Sequence, residues 1–293
     1  MNRFKSAKGK ELIYQSYDRL LNSLDMEYDE LDIPTSYGIT HLITSGSPLN
    51  PSLLLLHGTA DNSAMMWVYN LKPLAERFHV IAIDAIGGSG RSEPYAQYYR
   101  TFQQEYWLDE VLKAMRIERT YVAGVSYGAQ LAQHFAIMRP EKVEKIVCMA
   151  GAISGSQLEV MSKMMKAFLP EALFPTRAGC EKLLRKLSGP YYTTFSNNTQ
   201  LMEHWYYLLK YFNNRSMMKH KITIFTDEQL SGIREKALFL IGDHDMLSYY
   251  PKSLERLKKH QMTYKIVRGG GHAVNHELPE VVNKEMIDYL LKS

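Results

Sequence analysis

Short strand-like runs recur along the chain, each too brief for a stable helix, and stretches with helical spacing of apolar residues separate them. Their apolar character is typical of strands buried on both faces of a parallel sheet. We predict such strands at 53–56, 80–83, 121–125, 145–149, 237–241 and 263–267. The alternation predicts an α/β fold, with a mostly parallel, doubly wound sheet flanked by helices and joined by right-handed crossovers.

The intervening segments supply the predicted helices. Apolar spacing predicts helices at 9–24, 63–77, 102–115, 130–138, 251–260 and 279–291, and extended segments near 27–33 and 40–44 predict a hairpin. Pro73 leaves the continuity of the second helix open, because proline has no N–H to donate and clashes with the preceding turn.

The interval from 153 to 230 breaks the alternation. It is rich in Met, Leu and aromatic residues at helical spacing, among them Met164, Phe168 and Trp205, and contains no convincing strand. We predict an inserted helical cap, although any one of these side chains could simply pack in the cap's own core. The predicted organisation is a first part of the core at 1–152, the cap at 153–230 and a second part of the core at 231–293.

Composition and charge exclude several classes of protein. Hydrophobic residues make up 45% and charged residues 23% of the chain, and the net charge of +4 is spread without a basic block, so we expect no nucleic-acid partner. The two cysteines lack the spacing of a zinc or redox site. No stretch approaches the ~20 apolar residues of a membrane span. We expect a cytoplasmic protein with no stable membrane insertion, and the sequence favours no particular oligomeric state.

A candidate nucleophile lies in the segment Gly124-Val125-Ser126-Tyr127-Gly128. The segment follows a predicted strand and precedes a predicted helix, so Ser126 falls on a sharp turn that would expose its hydroxyl. Gly124 and Gly128 would prevent clashes between that strand and helix. An ordinary glycine-rich turn would have the same letters, but this placement favours a nucleophilic serine.

A serine hydroxyl needs a base to take its proton, and the base needs an acid to orient it. Downstream, one predicted strand runs into Gly242-Asp243-His244-Asp245 and the next runs into Gly269-Gly270-Gly271-His272. Loops at the carboxyl ends of parallel strands converge at one edge of the sheet, so these groups can meet Ser126 there.

Five segments in order resemble the signatures of the α/β-hydrolase superfamily: His57-Gly58, the stretch DAIGGSGRSEP at 84–94, GVSYG at 124–128, GDHD at 242–245 and GGGHAVNHELPE at 269–280. The resemblance covers most of the chain and is to the capped, serine-nucleophile, carboxylesterase-like branch. It implies the α/β-hydrolase fold. Ile86 replaces a proline common in relatives, a departure that affects a turn and no predicted catalytic residue.

The resemblance assigns roles to individual residues. It makes Ser126 the nucleophile, His272 the base and Asp245 the orienting acid, and it leaves Asp243 as the competing acid or as a group that caps the end of its strand. Of the other histidines, His276 lies near His272, and His134 is expected to be structural.

An oxyanion hole requires backbone N–H groups aimed at the developing negative charge. Tyr127 would supply one by its position after the nucleophile. The family pattern points to Thr59 for the second, and it makes His57 and Gly58 the residues that shape this loop. We expect His57 to be a buried, hydrogen-bonded side chain.

These residues predict a serine hydrolase that cleaves a carboxylic ester of a small or medium, partly apolar substrate through an acyl-enzyme on Ser126, with no cofactor and no metal. The same triad serves C–C bond hydrolases and cofactor-free haloperoxidases or perhydrolases. A noncatalytic small-molecule receptor on this fold is the alternative from another class.

Overall fold

The computed structural model describes residues 2–151, 153 and 155–292. Within these residues the chain forms one sheet of nine strands. In chain order they are β1 (Asp29–Thr35), β2 (Gly38–Ser45), β3 (Ser52–Leu56), β4 (His79–Ile83), β5 (Glu93–Pro94), β6 (Thr120–Val125), β7 (Val143–Met149), β8 (Ala237–Gly242) and β9 (Thr263–Val267). The predicted strands are all present, and the predicted α/β class is confirmed.

The strands lie in the order β1-β2-β4-β3-β6-β7-β8-β9, and β5 pairs with β2. β2 runs antiparallel to β1, β4 and β5, whereas the pairs from β4 through β9 are parallel. Leu53 of β3 lies opposite Val80 of β4 on one side and Tyr121 of β6 on the other. The carboxyl ends of β3, β6, β8 and β9 therefore meet at one edge of the sheet.

Helices cover the sheet, and two short 3₁₀ helices occupy Asn214–Met217 and Arg234–Lys236. Over the described residues, no helix is both long and apolar enough to cross a membrane. In chain order the α-helices are α1 (Ala7–Asn22), α2 (Ser63–Met66), α3 (Leu71–Ala75), α4 (Ala96–Arg100), α5 (Gln104–Ala114), α6 (Tyr127–Met138), α7 (Gln157–Leu173), α8 (Arg177–Leu187), α9 (Thr193–Ser196), α10 (Thr199–Tyr211), α11 (Asp227–Ile233), α12 (Pro251–Lys259), α13 (Val274–Glu277) and α14 (Pro279–Leu291).

The segment predicted as one helix at 63–77 is two short helices, α2 and α3. The Asn62 side chain accepts the Met65 N–H at 3.2 Å and caps α2. Pro73 lies in the first turn of α3, where backbone N–H groups have no partner within the helix, so its missing N–H costs nothing there. The interruption at 67–70 thus places the proline where a helix tolerates it.

The core lies on both faces of the central strands. Every residue of β8 is buried, as are the four leucines of β3. Burying a leucine side chain contributes about 1.5–3 kcal/mol, so these strands hold the sheet rigid behind the edge described above. α6 packs directly on β6 and β7.

Helices α7 to α11 lie between β7 and β8, and the described residues of that interval form no strand. α10 packs on α1 and α8, and its buried His204 joins two parts of the chain. Asn62 Nδ2 donates to His204 Nε2 at 2.9 Å, so His204 Nδ1 carries the proton and donates to Ser16 Oγ at 2.7 Å. Burial lowers the pKa of His204 to about 3, which keeps this link neutral. The domain boundary predicted at 152 lies outside the described residues.

Candidate active site

Ser126 occupies the turn between β6 and α6 with φ 55° and ψ −114°. A left-handed φ at a non-glycine residue costs about 1–3 kcal/mol and persists only where neighbours fix it. Its N–H donates to the Met149 carbonyl of β7 at 2.9 Å. A Cβ at Gly124 would lie 2.1 Å from the Gly128 carbonyl oxygen. A Cβ at Gly128 would lie 2.0 Å from the Leu56 carbonyl oxygen. Glycine is therefore required on both sides of this turn.

Three side chains from separate loops form one hydrogen-bonded line. His272 Nε2 lies 3.1 Å from Ser126 Oγ, and His272 Nδ1 lies 3.0 Å from Asp245 Oδ1. Asp245 is fully buried, and its Oδ1 also accepts the N–H groups of Leu247 at 2.9 Å and Ser248 at 3.2 Å. These donors fix the carboxylate, which in turn orients the imidazole toward the serine.

The two aspartates of the loop after β8 have different environments. Asp243 Oδ1 accepts the Gly269 N–H at 2.7 Å and so links this loop to the loop after β9. Asp245, two residues later, is the carboxylate that meets His272. The structure thus brings Asp245 into the line with Ser126 and leaves Asp243 at the end of its strand.

Burial and charge shift the pKa values of Asp245 and His272 in opposite directions. Burial acts to raise the pKa of Asp245, but the charge and hydrogen bond of His272 outweigh it and hold the pKa below its ordinary value. Burial likewise acts to lower the pKa of His272, but the Asp245 carboxylate prevails and raises it above 6.5. A basic imidazole next to the Ser126 hydroxyl is suited to accept its proton.

His57 follows β3 and is buried in the loop beside the serine turn. The Ala85 N–H donates to His57 Nε2 at 2.8 Å, so the proton sits on Nδ1, which donates to the Gly58 carbonyl at 2.8 Å. Burial lowers the pKa of His57 and keeps the ring neutral. Its side chain thereby fixes the backbone that leads into Thr59.

Two backbone positions lie close to the serine hydroxyl. Tyr127 is the first residue of α6, where N–H groups have no acceptor within the helix, while the Ser126 carbonyl accepts from Ala129 at 3.1 Å and Gln130 at 3.3 Å. Thr59 belongs to the loop after β3, the strand next to β6, and lines both cavities that contain Ser126. These are the positions at which an oxyanion hole is expected.

Two cavities meet at Ser126. The larger, of about 350 Å³, is walled mostly by apolar side chains, and the smaller has a volume of about 90 Å³. Both contain Thr59, Ser126, Met164 and His272. The apolar side chains of the larger cavity, besides Met164, include Met65, Met66, Val125, Met165, Phe168, Leu184, Leu187, Phe195, Trp205 and Leu209.

Glu277, a buried side chain that sequence reasoning missed, holds the loop that carries His272. Its Oε1 and Oε2 accept the Gly271 N–H at 3.1 and 3.2 Å, and Oε2 also accepts the Gly189 N–H at 2.7 Å. Burial is the largest influence on Glu277 and raises its pKa, while its charge contributes to raising the pKa of His272. The sequence signal was the glycine run before His272, whose N–H groups need an acceptor.

The remaining histidines serve other contacts. His276 lies in α13 with Nε2 2.9 Å from the Met65 carbonyl, and burial lowers its pKa to about 4. His134 Nε2 lies 3.0 Å from Glu105 on the outer side of α6. Among the described residues, no group of three or more His, Cys, Asp or Glu side chains is arranged to hold a metal ion.

The sheet order and the turn that carries Ser126 are those of the α/β-hydrolase fold. A family model described as "alpha/beta hydrolase fold" matches residues 51–173, a range that includes Ser126. The chain has the α/β-hydrolase fold and is a hydrolase enzyme that resembles carboxylesterases.

Its relatives include two proteins of Bacillus subtilis (strain 168). The chain is 26% identical to "Carboxylesterase YbfK", over 98% of this chain and 96% of the relative. It is 25% identical to "Uncharacterized carboxylesterase nap", over 94% of this chain and 91% of the relative. The crystal structure of carboxylesterase CesB (YbfK) from Bacillus subtilis superposes with a TM-score of 0.80 at 25% identity, covering 97% of this chain and 99% of that one.

Proposed function

We propose that this enzyme is a serine esterase that cleaves carboxylic esters of small or medium, partly apolar substrates through an acyl-enzyme on Ser126. The observation that carries the proposal is the line from Ser126 Oγ to His272 Nε2 at 3.1 Å and from His272 Nδ1 to Asp245 Oδ1 at 3.0 Å. The carboxylesterase-like relatives favour an ester over other acyl substrates.

In the first half of the reaction, His272 Nε2 takes the proton of Ser126 Oγ as the oxygen attacks the ester carbonyl. The N–H groups of Thr59 and Tyr127 stabilise the negative oxygen of the tetrahedral intermediate, each contributing about 3–4 kcal/mol to lowering the barrier. The imidazolium, held by Asp245, then gives its proton to the leaving alcohol, and the acyl group remains on Ser126.

In the second half, water takes the place of the alcohol. His272 removes a proton from the water as it attacks the acyl-enzyme, and the collapse of the second intermediate returns that proton to Ser126 and releases the carboxylic acid. Apart from the ester and water, the chemistry uses only groups of this chain. We further propose that the enzyme acts on small molecules in the cytoplasm.

We propose that residues 153–230 form a cap over the carboxyl edge of a core made of 1–152 and 231–293. Its helices supply Met165, Phe168, Leu184 and Trp205 to the larger cavity, opposite the loop that bears Thr59. A cavity of about 350 Å³ with such walls suits an apolar arm of the substrate. The cap thus defines which esters reach Ser126.

The proposal is tested by steady-state hydrolysis of p-nitrophenyl esters from acetate to decanoate at pH 7.5, with wild type and Ser126→Ala. Saturable turnover that the substitution abolishes is expected, with the highest kcat/KM on medium acyl chains. Turnover that survives the substitution would contradict a role for Ser126. A protein that binds esters without sustained turnover would be a receptor, and activity confined to C–C or peracid substrates would replace the esterase assignment.

A further inference from the structure

The two cavities at Ser126 can hold the two arms of an ester, its acyl group and its alcohol group. Both include Ser126 and His272, and apart from Thr59, Ser126, Met164 and His272 they are lined by different residues. An ester whose carbonyl carbon lies at Ser126 Oγ therefore directs its acyl arm into one cavity and its alcohol arm into the other. The smaller cavity, of about 90 Å³, accommodates only a short arm.

The smaller cavity has an unpaired amide in its wall. Gln130, in the second turn of α6, is only 6% exposed and lines this cavity. Within the described part of the chain, neither its Nε2 nor its Oε1 has a hydrogen-bond partner, and both atoms are buried. Buried side-chain polar atoms are nearly always paired in folded proteins, so an amide left with a free donor and a free acceptor beside a nucleophile is arranged to bind something else.

A second polar group reaches the same cavity from α7. Lys163 Nζ is buried and, among the described residues, makes no hydrogen bond; Glu159 Oε1 lies 3.5 Å away, and the ammonium lies over the ring of Tyr250. Tyr250 also lines the cavity. Lys163 therefore offers a further donor, with its charge already balanced in part by Glu159.

We infer that the smaller cavity is a subsite for a short, uncharged, hydroxyl-bearing arm of the ester, recognised by the Gln130 amide with Lys163 as a second donor. This inference rests on the proposed esterase function and names its substrate class: esters with one long apolar arm and one short hydroxylated arm. The long arm occupies the larger cavity.

The chemistry of the wall favours a hydroxyl over a carboxylate. A hydroxyl both accepts and donates, so it satisfies Gln130 Nε2 and Oε1 together. A carboxylate only accepts; it would leave Oε1 buried and unpaired and would face the negative charges of Glu159 and Asp245, both of which act on Lys163. A methyl group of the same size leaves Gln130 Nε2 and Oε1 without a hydrogen-bond partner.

The experiment compares isosteric esters. One pair places the hydroxyl in the alcohol arm, 2-hydroxyethyl decanoate against propyl decanoate; the other places it in the acyl arm, decyl 3-hydroxypropanoate against decyl butanoate. We expect one pair to show at least a tenfold higher kcat/KM for the hydroxylated ester, since a site built to bind a hydroxyl discriminates strongly against its absence. Equal rates within both pairs, or a preference for monodecyl succinate, would overturn the inference.

Variants locate the preference in the wall. Gln130→Met should reduce the ratio of kcat/KM values to about one, and Lys163→Met should reduce it by a smaller factor. Lys166→Met, an exposed lysine on the same helix, is the matched control and should leave the ratio as in wild type. A ratio unchanged in both Gln130→Met and Lys163→Met would contradict the subsite.

Labelling with a fluorophosphonate separates a missing subsite from a missing esterase activity. A fluorophosphonate that labels Ser126 in each variant shows that the protein is folded and its serine activated. A labelled wild-type enzyme that hydrolyses both esters of each pair at equal rates would keep the esterase function and contradict the subsite. If the enzyme neither accepts the label nor hydrolyses any ester, both the esterase function and the subsite are contradicted.

Discussion

His272 Nε2 lies 3.1 Å from Ser126 Oγ, although 146 residues separate the two in the chain. They meet because β6 and β9 belong to the parallel part of one sheet, and the loops at their carboxyl ends share an edge. Ser126 is held in a strained turn, and His272 is held by a buried carboxylate.

Asp245→Asn should lower kcat about 10³–10⁴-fold, because the amide no longer favours the imidazole tautomer that accepts the serine proton. Asp243→Asn is the matched control: its carboxylate binds the Gly269 N–H rather than His272, so its kcat should stay within several-fold of wild type. Steady-state kinetics on one p-nitrophenyl ester measures both. A larger loss from Asp243→Asn than from Asp245→Asn would reverse the assignment of the acid.

The activity should rise with pH. Burial acts to lower the pKa of His272, but Asp245 raises it above 6.5, and only the neutral imidazole can accept the proton. We therefore expect kcat/KM to be low at pH 5 and to increase through one ionisation with a midpoint above 6.5. The residual activity of Asp245→Asn should show a lower midpoint, since the carboxylate charge is gone. A pH-independent kcat/KM from 5 to 8 would contradict His272 as the base.

Glu277→Gln should lower kcat about tenfold with little change in KM. The amide replaces one acceptor oxygen by an NH₂ group that faces the N–H groups of Gly271 and Gly189, so the loop before His272 loses its anchor. The midpoint of the pH profile should also fall, because the Glu277 charge contributes to raising the pKa of His272. Glu280→Gln, on the exposed side of α14, is the control and should match wild type. If the midpoint of the pH profile does not shift in Glu277→Gln, Glu277 has a purely structural role.

Asp61→Asn should stabilise the protein increasingly as pH rises. Asp61 lines the larger cavity, and burial raises its pKa to about 7 from 3.8, so the folded state resists its ionisation. Asp61 therefore lowers the free energy of unfolding. This loss of stability is absent below pH 4, grows between pH 4 and 7, and is complete above pH 7. In urea unfolding, the gain in free energy of unfolding should be about 3 kcal/mol larger at pH 8 than at pH 5. An equal gain at both values would show that Asp61 ionises freely in the folded protein.

The sequence predicts the scaffold well, because its local signals are strong. Apolar runs such as Leu53–Leu56 leave no alternative to a strand buried on both faces, and the glycines around Ser126 mark the turn before the geometry is known. The strand ends then place Asp245 and His272 at the same edge. Choosing Asp245 over Asp243 required the family resemblance.

The residues that the sequence did not predict depend on contacts between distant segments. Glu277 acts on Gly189, 88 residues away, and nothing near either residue indicates the pairing. Gln130 resembles any polar helix residue until α7 encloses it together with Lys163. The split of 63–77 has a similar cause, since the side chain that caps α2, Asn62, is itself held by His204 of α10.

The proposed esterase mechanism requires a covalent acyl group on Ser126. The most direct measurement is mass spectrometry of the intact protein and its peptides after acid quench during turnover of p-nitrophenyl decanoate. We predict one decanoyl group, located on the peptide that contains Ser126 and absent from Ser126→Ala. Turnover without any acylated protein, or with the acyl group on another residue, would contradict Ser126 as the nucleophile.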